Sequence, residues 1–64
     1  MIPKKGDYFR VLGPKGVGPE VWTWDGQCIE EQGKKLYLCR RLIDGFTVTL
    51  LTKQMVKIPD LKEL

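Results

Sequence analysis

Short apolar runs broken by turn residues dominate this chain, and no long helix is written in it. The first run, Tyr8-Phe9-Arg10-Val11-Leu12, is entered through Gly6-Asp7 and left through Gly13-Pro14, which predicts a first strand. Gly13-Pro14-Lys15-Gly16-Val17-Gly18-Pro19 follows. Its glycines permit unusual backbone angles and its prolines remove amide donors, so this stretch reads as a long loop without regular pairing, a place where function often sits.

Glu20-Val21-Trp22-Thr23-Trp24 alternates in character. On a strand this sets both tryptophans on one face, with Val21 and Thr23 on the other. Asp25-Gly26 either bulges the strand or ends it, and Gln27 to Glu31 reads as its continuation. Two registers compete at the next turn. A Gly33-Lys34 turn places Cys28 opposite Cys39, close enough to bridge, whereas a Gln32-Gly33 turn pairs Glu30 with Lys35 and Glu31 with Lys34 but forces Gln32 to positive φ.

Lys35 to Leu42 is the longest strand candidate, and Asp44-Gly45 signals a tight hairpin back into Phe46 to Leu51. A two-residue turn there sets Ile43 opposite Phe46, Arg41 opposite Val48 and Cys39 opposite Leu50. Thr52-Lys53-Gln54-Met55 suits one helical turn, Val56-Lys57-Ile58 a last short strand, and Leu61 with Leu64 a cap over an open end.

Composition strengthens the all-β reading. Ala, Ser, Asn and His are absent, which removes the best helix former and the usual small polar helix caps. With 64 residues the chain has room for one domain, 1–64, with a thin core, so barrel closure or homo-oligomerisation is expected to complete it. The net charge of +3 and pI near 9.0 favour a polyanionic partner mildly. No apolar run long enough for a signal peptide or membrane span follows Lys4-Lys5, so the expectation is a cytoplasmic chain with no membrane partner and with Cys28 and Cys39 as thiols.

Lys5-Gly6-Asp7 leading into the first strand, the Asp44-Gly45 hairpin, and Val48 to Lys57 as strand, turn and strand together resemble the SH3-like barrel. The fold expected is all-β, a small five-stranded SH3-like barrel with a short helical turn before the last strand. Within it, Gly18-Pro19-Glu20-Val21 and the ending at Met55-Val56-Lys57 look like the C-terminal DNA-binding domains of retroviral integrases, which implies a DNA-binding module of a mobile element or phage. Leu50-Leu51-Thr52 stands where that family carries Trp-Val/Ile-Pro. Length and layout also resemble the plasmid-borne dihydrofolate reductases, which work as tetramers around a pore. Their Val-Gln-Ile-Tyr strand is replaced here by Thr47-Val48-Thr49-Leu50.

Without His or Ser there is no imidazole base and no hydrolase triad. Glu30 and Glu31 point to opposite faces, a poor geometry for paired carboxylates. Two thiols without His do not complete a zinc site from one chain, so no catalytic residue, metal or cofactor is expected. A binding role rests instead on cations interleaved with rings: Trp22, Trp24, Lys34, Lys35, Tyr37, Arg40 and Arg41. Lys and Arg neutralise phosphates while exposed rings stack on bases, so nucleic acid is the first partner expected. A partner protein held by the Gly13 to Pro19 loop and the aromatic face is the alternative. Two questions stay open: whether the tryptophans are core or surface, and which face of the strand from Lys35 is buried. Leu36 and Leu38 share one face, and Tyr37 and Cys39 the other.

Overall fold

The computed structural model describes residues 2–58, and Leu61 and Leu64 lie outside the described residues. Six strands appear: β1 (Tyr8–Gly13), β2 (Gly16–Val17), β3 (Trp22–Glu31), β4 (Lys34–Arg41), β5 (Thr47–Leu50) and β6 (Met55–Lys57). A single 3-10 turn, Thr52–Gln54, separates the last two. All pairings are antiparallel, in the order β2-β1-β3-β4-β5, with β6 also on β1. The sheet curls into a small all-β half-barrel, compatible with an SH3-like barrel. No helix among the described residues is long and apolar enough to cross a membrane.

Local chemistry explains most of these elements. The turn between β3 and β4 is Gln32-Gly33, both at positive φ (53° and 75°), the geometry a two-residue hairpin needs to match strand twist. It sets Glu30 opposite Lys35 and Glu31 opposite Lys34. Asp25-Gly26 forms a bulge, because the register of β3 on β4 shifts between Trp24 and Cys28 while pairing continues beyond it. The 3-10 turn is held from both sides. Gln54 N donates to Leu51 O at 2.9 Å, and Leu51 N donates to Gln54 Oε1 at 3.0 Å.

Two expectations need correction. The Gly13 to Pro19 stretch is not free of pairing: Leu12 opposes Val17 and Gly13 opposes Gly16, so the chain doubles back in a small hairpin. Gly16 at φ 113° makes that reversal without a side-chain clash. The register between β4 and β5 also differs from a two-residue turn at Asp44-Gly45. Cys39 opposes Val48 and Tyr37 opposes Leu50, while Arg41 opposes Trp22 on β3. Asp44 does not enter the left-handed region, so the loop widens; Gly45 N donates to Arg41 O at 2.8 Å and Arg41 N to Phe46 O at 2.7 Å. The displacement is two residues, which preserves the inward and outward faces of β5.

The concave face of the sheet carries the core of Phe9, Trp22, Tyr37, Cys39, Leu50 and Met55, with Val11, Trp24 and Val48 packed against it. Burying a side chain such as Phe9 contributes about 1.5–3 kcal/mol. Trp24 and Tyr37 meet edge to face at 5.0 Å between centroids, worth about 0.5–1.5 kcal/mol beyond the area they bury. Tyr37 and Cys39 are therefore the inward face of β4, and Leu36 and Leu38 the outward one. Asp7 is buried as well. Its Oδ2 accepts from Lys4 N at 2.9 Å and lies 3.8 Å from Lys57 Nζ, and its carbonyl accepts from Thr23 Oγ1 at 3.0 Å.

Candidate functional site

Because β5 pairs only with β4, the curled sheet does not close on itself among the described residues. A groove of about 470 Å³ lies between β5 and the β1–β2 hairpin. Val11, Trp22, Val48 and Leu50 line it with apolar carbon, and the hairpin residues Gly13, Pro14, Lys15, Gly16 and Gly18, with Glu20, complete its lining. A second hollow of about 450 Å³ sits on the other side of Glu20, lined by Pro19, Val21, Leu42 and Ile43. Ile43 is 85% exposed and Phe46 54%, so this end of the molecule carries unusually bare apolar surface.

The residues expected to bind are divided by the fold. Trp22 and Tyr37 are both only 6% exposed and belong to the core. Trp24 is half-buried, and its indole Nε1 donates to Gln27 O at 2.7 Å across the bulge. Lys34 and Lys35 are exposed at the start of β4, facing Glu31 and Glu30, with Lys35 Nζ 5.5 Å from the Tyr37 ring centre. Arg40 lies on the convex side opposite Thr23, and its Nε is 3.4 Å from Asp25 Oδ2.

Trp22, though buried, is the member that lines the groove, and Arg41 lies against its ring. The Arg41 guanidinium carbon is 5.5 Å from the Trp22 ring centre and 5.0 Å from that of Phe46. It pairs with Asp44 through two hydrogen bonds of 2.9 and 2.6 Å and approaches Glu20 Oε2 at 3.5 Å. The Arg41 guanidinium and the Phe46 amide hold the Asp44 carboxyl at about 2, and Asp44 in turn raises the pKa of Arg41. The two arginines of β4 are thus matched by acids, whereas Lys34 and Lys35 join no ion pair among the described residues. Asp44 is a local partner three residues from Arg41, whereas Glu20 precedes β3 and Asp25 sits at the β3 bulge, and neither carries a local signal marking it as a partner of β4.

Both thiols are free. Cys28 is exposed opposite Tyr37, while Cys39 is buried opposite Trp24, where burial first and then the nearby charges of Asp25 and Cys28 push its thiol up to about 12. Among the described residues no three His, Cys, Asp or Glu side chains gather as a metal site. The groove residues Val11, Val48 and Leu50 were legible only as strand residues, because a groove arises from the curl of the whole sheet. No protein-family model, curated protein sequence or solved structure matches this chain.

Proposed function

We propose that this chain is a small non-catalytic binding module, and that its partner is an apolar segment of another protein seated in the groove between β5 and the β1–β2 hairpin. One observation carries this reading: the groove is lined mostly by apolar carbon, and three glycines, Gly13, Gly16 and Gly18, line it beside Pro14 and Lys15. The glycines let a partner's main chain come close, while Val11, Val48 and Leu50 receive its side chains. Charge matching of Arg40 and Arg41 points the same way, since a cation already paired with a carboxylate neutralises a phosphate poorly.

Gly13→Val is the direct test. A Cβ at Gly13 meets only Gly16 O at 3.8 Å, so the variant narrows the groove while the fold accepts it. Short fluorescein-labelled peptides with alternating Val or Leu should raise their anisotropy with the wild type, weakly with Gly13→Val, and about equally at low and high salt. No binding by any apolar peptide in the set overturns the reading.

A nucleic-acid backbone is the second reading, within an SH3-like barrel of the integrase C-terminal type. Lys4, Lys5, Arg10, Lys15, Lys34, Lys35 and Lys53 join no ion pair among the described residues, and they leave positive charge spread over the surface. Oligonucleotide binding that falls steeply between low and high salt supports it, and no binding at low salt removes it.

A further inference from the structure

We infer that β5 is a self-association edge: two copies of this chain pair their β5 strands antiparallel about a two-fold axis, so the sheet runs from one protomer into its partner. Among the described residues β5 ends the strand path and has β4 on one side only. Soluble proteins guard such an edge with charge, Pro, a bulge or extreme shortness. β2 is two residues long and lies between Pro14 and Pro19, and β6 is three residues long and carries Lys57. β5 is Thr47-Val48-Thr49-Leu50, which carries none of the chemical guards and is the longest of the three.

The strand is also self-complementary. A two-fold axis normal to a sheet keeps each face on its own side, so opposed residues must share a face. Centring the axis on Val48 opposes Val48 with Val48, Phe46 with Leu50 and Thr47 with Thr49. Every apolar side chain then meets an apolar one on the concave side, and threonine meets threonine on the convex side. Phe46, 54% exposed in the single chain, gains a cover. The same axis lays the Asp44 end of one strand beside the Lys53 end of the other, opposite in sign. These features favour a second copy over an unrelated strand, because one short sequence satisfies both sides of the pairing.

This interface is small, below about 1,200 Å² in total, so the dimer dissociates in the micromolar range. It shares β5 with the groove reading, since Val48 and Leu50 line the groove, so a second copy and a groove peptide compete for this strand. Sedimentation equilibrium of the full chain from about 1 to about 500 µM should show a monomer–dimer equilibrium, shifted about tenfold or more toward monomer by Thr49→Lys, which places a charge on the exposed convex side of the edge. Register is read by disulfide trapping in a Cys28→Ser background: Thr47→Cys mixed with Thr49→Cys should cross-link efficiently, and Thr49→Cys alone poorly. A wild type that stays monomeric, a dimer indifferent to Thr49→Lys, or equal trapping with and without mixing overturns the proposal. Sedimentation is read without peptide, and peptide anisotropy at about 1 µM chain, where the monomer prevails, so either reading can fail without the other.

Discussion

Arg41 and Asp44 grip each other across the loop between β4 and β5, with Nε donating to Oδ1 at 2.9 Å and Nη2 to Oδ2 at 2.6 Å. The same Oδ1 accepts from Phe46 N at 3.0 Å, so one carboxylate organises the whole turn. The loop is thereby held wide, and Cys39 falls opposite Val48.

Acid should loosen this turn. The folded chain keeps Asp44 charged down to about pH 2, whereas an unperturbed aspartate takes up its proton near 3.8. The folded state therefore binds fewer protons in that window, and the stability the pair supplies is whole above pH 4 and lost as pH falls toward 2. Thermal unfolding followed by circular dichroism across that window should show a shallower acid dependence for Asp44→Asn than for wild type. Identical slopes would refute the assignment.

Asp7 ties the Lys4 to Asp7 turn to β6 through Lys4 N and Lys57. Asp7→Ala leaves the Lys4 amide without its acceptor, and should cost about 1–3 kcal/mol in urea denaturation. A loss below about 0.5 kcal/mol would place this carboxylate among ordinary surface groups.

The two thiols should differ sharply. A disulfide reagent at pH 8 should modify Cys28 at once and Cys39 only after denaturant is added, because the Cys39 thiol is fully buried and held at about 12. Two fast thiols in the native chain would show that the core opens readily.

Gln32 is the one non-glycine residue at positive φ among the described residues. Asn tolerates that region better than Gln, so Gln32→Asn should stabilise the hairpin by on the order of 0.5 kcal/mol, read as a small rise in melting temperature. A fall in melting temperature would mean that Gln32 makes a compensating contact.

Much of the strand pattern was legible in the residues because it depends on neighbours a few positions apart. Gly6-Asp7 and Gly13-Pro14 bracket β1, and Asp25-Gly26 gives a bulge where the sequence left bulge and turn open. Of the two turns weighed, Gln32-Gly33 forms, which gains the Glu30–Lys35 and Glu31–Lys34 pairs and excludes a Cys28–Cys39 bridge. The candidate site was legible only in part. Trp22 and Tyr37 read equally well as surface rings or core, and Gly13 to Pro19 read as an open loop, although Gly16 and Val17 fold back onto β1.

By itself the sequence determined where strands start, stop and turn, since backbone angle, β-branching and the missing helix formers act locally. Tertiary structure decided which face of β4 is buried and that Asp25 and Glu20 meet Arg40 and Arg41. Those outcomes depend on groups far apart in the chain that meet only once the sheet curls. The groove follows from that curl, since it lies where β5 and the β1–β2 hairpin face each other without pairing.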